Sequence, residues 1–210
     1  MKTIVKQIIA CMLLFLAAPT AAETRTETPD EQFADRFAAC SRSVESIVCD
    51  FTETRHMSIL ANDVVRPGTF HYKRPARMAL DFASGDRILM TEELFVNRID
   101  GQTTTARMNS NPMLRQMQTI FGACMTGDLD ALKGTGQMTV SRTDRGYRVE
   151  LVPTSRSARK YVSSITLDFD PDDMTLDRLL MTQPSGDYLL YRFSRKRLNV
   201  ALDDRIFNTK

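Results

Sequence analysis

The stretch Gly68-Thr69-Phe70-His71-Tyr72-Lys73-Arg74-Pro75-Ala76-Arg77-Met78-Ala79-Leu80-Asp81-Phe82 constrains this chain more than any other. It reads as a strand, a break at proline and a second strand. Successive side chains of a strand point to opposite faces. Phe70, Tyr72 and Arg74 therefore share one face, with Thr69, His71 and Lys73 on the other. After the break Met78, Leu80 and Phe82 share a face, with Arg77, Ala79 and Asp81 opposite. One apolar face runs through both halves, and one arginine sits on it. A charge there is costly unless it is paired or hydrogen-bonded. Two readings follow: Arg74 lies at a rim with its head in water, or it holds something inside.

The same period of two governs most of the chain. Ser46 to Met57 alternates, with Cys49 and Phe51 facing one way and Asp50, Thr52 and Thr54 the other. Val64 to Arg74, Met78 to Phe82, Arg87 to Met90, Leu94 to Arg98 and Gln102 to Met108 continue the series, the last two joined by a hairpin at Asp100-Gly101. After a helical interval come Gln137 to Thr143, Tyr147 to Pro153, Ser163 to Phe169, Leu176 to Gln183 and Tyr188 to Leu198. Two segments carry a helical period instead. Glu31 to about Ser43 has the stripe Phe33, Ala34, Phe37, Ala38 and Cys40, with Asp30 as candidate N-cap. A second helix starts at Asn111-Pro112 and carries Met113, Leu114, Met117, Ile120, Phe121, Cys124 and Met125. Asp128 to Leu132 adds at most a turn, and Thr154 to Tyr161 is a polar, basic loop or short helix. About eleven short strands with hairpin turns imply an antiparallel sheet curled into a barrel or half-barrel. No internal repeat and no low-complexity tract is present.

The first residues read as an export signal. Lys2 and Lys6 flank an apolar run from Ile8 to Ala18, and Thr20-Ala21-Ala22 precedes Glu23. That is a signal peptide over residues 1–22. The run falls short of the about 20 residues a membrane span needs. Too little apolar sequence precedes Cys11 for a lipoprotein processing box. Residues 23–30 are polar and expected to be flexible, and 31–210 form one domain with a real core. Removing the signal takes two of 28 cations and no acids, leaving 26 of each sign. That balance argues against nucleic-acid binding, which needs a basic surface. Three cysteines remain, Cys40, Cys49 and Cys124. In an oxidising compartment they predict one disulfide and one thiol left over.

Reactive chemistry is missing from the sequence. His56 and His71 lack Cys or His neighbours for zinc, so no metal site is expected, and both read as surface residues. There is no Gly-x-Ser-x-Gly elbow and no phosphate-cradling glycine loop. Asp50 and Glu53 lie on opposite faces of their strand, and Asp172-Asp173 and Asp203-Asp204 read as turn and tail residues. No catalytic residues and no cofactor are expected. Apolar capacity is what stands out. The composition includes 12 methionines, ten of them after the signal, and methionine suits surfaces that accept variable apolar shapes. Phe51, Phe70, Tyr72, Met78, Leu80 and Phe82 on a curved sheet, faced by a helix bearing Met113, Met117, Ile120 and Phe121, would enclose an apolar cavity.

Asp50-Phe51-Thr52-Glu53-Thr54, followed by Gly68-Thr69-Phe70-His71-Tyr72-Lys73-Arg74-Pro75, resembles the outer-membrane lipoprotein carrier protein (LolA) family. That family shows a Phe-Thr-Gln strand after its first helix, then a Gly-x-aliphatic-x-x-Lys-Arg-Pro strand. The order of elements is similar over nearly the whole chain, down to Phe207. The resemblance implies an unclosed antiparallel half-barrel with a helical lid and a hydrophobic cavity for acyl chains. It implies a non-enzymatic, monomeric periplasmic chaperone. Such a protein takes lipoproteins from an inner-membrane ABC-type release complex to an outer-membrane acceptor. The alternative is a carrier of another lipid, a glycolipid or polyene. It implies that Arg74 hydrogen-bonds the lid helices and keeps the empty state closed, and that Met78 points inward. It favours Cys49 and Cys124 as the disulfide. Glu53 stands where the family has glutamine, and His71 and Leu80 stand where it often has aromatics.

Overall fold

The computed structural model describes residues 28–110 and 112–209. The expected signal peptide, most of the polar segment after it and the Asn111 cap lie outside those residues, as does the side chain of Met113. Helix α1 spans Pro29–Arg42. Its N-cap is Thr28 and not Asp30: the Thr28 hydroxyl accepts from the Glu31 N–H at 3.3 Å, and Glu31 Oε2 accepts from the Thr28 N–H at 3.0 Å. This reciprocal box satisfies donors that a helix start leaves unpaired, and Pro29 fits the first helical position. Helix α2 spans Pro112–Thr126 and α3 spans Leu129–Thr135, so the expected turn is a helix, capped by the Asp128 carboxylate on the Ala131 N–H at 2.9 Å.

Eleven strands make the rest: β1 Ser46–His56, β2 Val64–Lys73, β3 Arg77–Phe82, β4 Arg87–Met90, β5 Leu94–Ile99, β6 Gln102–Arg107, β7 Gln137–Thr143, β8 Gly146–Val152, β9 Ser164–Phe169, β10 Leu176–Thr182 and β11 Tyr188–Leu198. They form one antiparallel sheet in the order β6-β5-β4-β3-β2-β1-β11-β10-β9-β8-β7. Each strand pairs with its chain neighbour, except that β1 pairs with β11. Helix α1 precedes β1, and α2 and α3 interrupt the series between β6 and β7. The sheet is therefore a curved half-barrel, open between β6 and β7, with the helices as its lid.

One core fills the space between sheet and helices. Phe33 and Phe37 of α1 stack at 4.9 Å and meet Phe169 of β9 at 5.4 and 5.1 Å. Ile120, Phe121, Cys124 and Met125 of α2 join Phe51, Phe70, Tyr72 and Met78 in the same cluster. Gly68 lets this happen at the sheet. A Cβ there would stand 2.6 Å from the Phe51 ring and 2.4 Å from the Asp81 carbonyl oxygen.

The opposite face of β2 to β5 is not left to solvent. Ala79, Leu89 and Val96 are buried there beneath Phe207, with Leu202 and Ile206 alongside. The tail is held by charge. Asp204 accepts from Lys73 at 2.6 Å and from Arg77 at 3.0 Å, and Arg87 donates to the Ile206 carbonyl. Asp204 thus fastens a second, smaller core to the back of the sheet.

Candidate functional site

Arg74 follows the last residue of β2 and points at the end of α1. Its Nη2 donates to the Ser41 carbonyl and its Nε to the Val44 carbonyl, both at 2.6 Å, with Glu45 at 3.6 Å. A helix leaves its last carbonyls without intrahelical partners, and its C-terminal end carries partial negative charge. A guanidinium there satisfies both. The side chain keeps 28% exposure, so part of the head still meets water. Its hydrogen bonds reach α1 and the α1–β1 connection, while α2 is reached indirectly. Gly127, directly after α2, sits so close to Ser41 that a Cβ would come within 2.6 Å of the serine Cβ. The φ of +72° at Gly127 suits glycine. Sheet, α1 and the end of α2 thus meet around Ser41.

The expected cavity residues come together as one packed cluster. Phe51, Phe70, Tyr72, Met78, Leu80, Phe82, Ile120 and Phe121 are buried in it, and Met117 is partly buried against it. In this conformation their side chains fill the interior. The space beside Cys49, Phe70, Met125 and Phe193 is about 10 Å³, too small for more than a water. A far larger cleft of about 920 Å³ lies between Arg115 and Gln116 of α2, Gly134 and Thr135 of α3, and Thr154 to Tyr161 of the β8–β9 connection. Among the described side chains, none of the expected cavity residues lines it.

The disulfide expectation is corrected. Cys40, Cys49 and Cys124 are free thiols. Burial pushes the Cys49 thiol up to about 12, against a smaller opposing effect of Lys196, and raises Cys124 as well. The apolar interior that should have joined them holds both as neutral thiols, which pack like small hydrophobes.

Sequence reasoning passed over the most polar feature of the interior. Cys49, Phe51 and Glu53 share the inward face of β1, and Glu53 is buried with them. Registration places Arg66 of β2 directly opposite it on one side and Tyr191 of β11 on the other. Glu53 Oε1 accepts from Arg66 Nη2 at 2.7 Å and Nε at 3.0 Å, while Oε2 accepts from the Tyr191 hydroxyl at 2.6 Å. The Arg66 guanidinium lies 4.1 Å from the centroid of the Phe82 ring and reaches Asp86 at 3.5 Å. Burial, and then the negative Glu53, hold the Tyr191 phenol well above its ordinary value. Tyr191 therefore stays the donor. The sequence signal was the inward parity of Glu53, but its partners needed the strand register.

The two histidines sit in local pairs. His56 Nδ1 is 2.7 Å from Asp63 and its ring stacks on Tyr188 at 4.9 Å. His71 Nδ1 is 3.4 Å from Asp81, without hydrogen-bond geometry. Among the described residues, no group of three or more His, Cys, Asp or Glu is placed to hold a metal ion. No described helix is long and apolar enough to cross a membrane.

No curated protein matches the chain in sequence. Solved structures share its outline at low identity. A putative outer membrane lipoprotein-sorting protein domain from Vibrio parahaemolyticus is 8% identical with a TM-score of 0.47, covering 86% of this chain and 97% of its own. A LolA superfamily protein from Nitrosomonas europaea is 13% identical with a TM-score of 0.43, covering 88% and 99%. The Mycobacterium tuberculosis lipoprotein LppX is 9% identical with a TM-score of 0.41, covering 82% and 97%. The family described as "Outer membrane lipoprotein carrier protein LolA" matches residues 42–210. That match begins at the end of α1 and takes in every strand, the lid helices α2 and α3, and the tail, so the chain belongs to the LolA family.

Proposed function

We propose that the protein is a periplasmic carrier that binds the acyl chains of lipoproteins beneath its helical lid. The observation that carries this reading is the interior itself. A half-barrel with an open seam is closed by separate helices whose inward side chains fill the space a ligand would take. Such a core can exchange partners. Acyl methylenes replace Ile120, Phe121 and Met125 against the sheet, each worth about 0.8 kcal/mol when buried. The lid gives up an equivalent contact as it swings away, so net affinity stays moderate. Arg74 ties α1 to the sheet, and its bonds favour the closed, empty state. Nothing in this cycle requires covalent chemistry.

Within that reading, cargo arrives from an inner-membrane ABC-type release complex and leaves for an outer-membrane acceptor, with the carrier acting as a monomer. Transfer needs only a greater affinity at each step. The test is gentle purification from the periplasm followed by mass spectrometry of the bound molecule. Triacylated peptide termini are expected. Recovery of a glycolipid or polyene instead would establish the other-lipid reading, and failure to displace a fluorescent fatty-acid probe with any acylated molecule would reject both.

A further inference from the structure

The exposed apolar side chains of this protein are not scattered. Register fixes which loops share an end of the half-barrel. His56 of β1 lies opposite Tyr188, Thr182 lies opposite both Tyr188 and Ser164, Leu151 opposite Ile165, and Arg87 opposite Arg98. The β1–β2, β5–β6, β8–β9 and β10–β11 connections therefore all lie at the end away from Arg74. Every large hydrophobic exposed among the described residues is at that end. Ile59, Leu60, Val64 and Val65 crown the β1–β2 hairpin, with Ile59 87% exposed. Ile99 closes β5 and Val152 closes β8, and Tyr161, 63% exposed, projects from the β8–β9 connection.

The hairpin tip is braced rather than loose. Asp187 accepts from the Ser58 N–H at 2.8 Å, and Asp63 accepts from the Tyr188 hydroxyl at 3.1 Å while holding His56. These carboxylates of the apolar end are engaged in holding its loops. The β8–β9 connection adds Arg156, Arg159 and Lys160, all exposed, with no acid between Thr154 and Tyr161. Charge elsewhere is mixed: Asp100 is exposed at this same end, and the opposite end carries Glu92, Glu93, Asp170, Asp172 and Asp173 together with Lys73, Arg74, Arg77 and Arg145. The exposed large hydrophobics of the described residues, by contrast, are confined to one end.

We propose that this end docks on an anionic phospholipid surface. Four of the apolar groups share the β1–β2 hairpin, and the others stand singly at the ends of β5 and β8 and on the β8–β9 connection. β1 and β8 are four strands apart in the sheet, which is about 19 Å at the usual strand spacing. A protein partner would have to match that separation, whereas a fluid interface accepts each side chain where it falls. An exposed tyrosine beside cations suits the headgroup layer, where aromatic rings and basic residues are favoured. The 920 Å³ cleft lined in part by Thr154 to Tyr161 then lies next to the docked β8–β9 connection. The docking does not depend on what the interior carries.

Flotation of the cargo-free protein with vesicles tests this directly, independently of any lipid probe. The chain should float with phosphatidylethanolamine–phosphatidylglycerol vesicles at low salt and much less with phosphatidylcholine alone. Arg156→Glu with Arg159→Glu should weaken binding at least about tenfold, and Ile59→Asp with Leu60→Asp should reduce it comparably. All four positions are exposed, so unchanged thermal melting will verify the fold. Wild-type protein that stays unbound overturns the proposal and leaves this end to a protein partner. So does binding that neither double variant alters.

Discussion

Single residues decide whether the interior tolerates charge. Glu53, Arg66 and Tyr191 lie side by side on three adjacent strands, and Glu53 accepts from both of its neighbours. Removing one partner of a buried pair leaves the other uncompensated, at about 3–5 kcal/mol. Arg66 keeps 22% exposure, so Glu53→Leu should fall at the lower end of that range in urea unfolding. Glu53→Leu combined with Arg66→Met and Tyr191→Phe should recover most of the loss, because packed apolar side chains replace the ion pair and no buried hydroxyl is left without its acceptor. A triple variant as unstable as the single one would mean the charge pair itself is worth its burial. The cysteines make a second prediction at this scale. The thiolate is the reactive form, and burial holds Cys49 and Cys124 protonated at neutral pH. Native alkylation should label half-exposed Cys40 first and reach Cys49 and Cys124 only on unfolding. A Cys49–Cys124 peptide found without reduction would refute the free-thiol state.

At the scale of elements, the junction at Ser41 sets how the lid is held. Arg74 donates two charge-assisted bonds to the end of α1, each worth about 1.5–3 kcal/mol before allowance for its partial exposure. Cargo that enters must displace what those bonds hold. Arg74→Leu should therefore shift the balance toward the open, loaded form. Loading of a labelled lipoprotein should stay normal while its transfer to outer-membrane acceptor slows. Transfer at the wild-type rate would return Arg74 to the role of a helix cap. Strand and helix spans were largely legible here, because period two and period 3.6 are local properties of side-chain order. The cap at Thr28 was misplaced by two residues, since Asp30 and Thr28 are both good capping types. Only backbone geometry chooses between them. The third helix was underread because Gly134 and Gly136 look like breakers, yet Gly134 lies inside α3.

For the whole molecule, the proposed function makes the packed interior a core and a binding surface at once. Met78 is fully buried among Tyr72, Leu80 and Met90, so Met78→Glu buries a carboxylate with no partner. Competition with a fluorescent fatty-acid probe should register weaker binding by at least tenfold in protein that still folds. Unchanged affinity would place the ligand elsewhere, the cleft beside α2 and α3 first. The sequence by itself determined which side chains face inward, because alternation depends only on neighbours along a strand. It also determined the turn positions, the eleven strands and the family signature around Arg74. The tertiary structure decided what no local pattern holds. Sheet order joined β1 to β11 and so brought Tyr191 to Glu53 across the chain. Curvature and lid placement filled the expected cavity with its own side chains. Register gathered every exposed large hydrophobic of the described residues at one end. Each of these is a relation between segments far apart in sequence, set by how strands pair and layers pack, and pairing is a property of the assembled sheet.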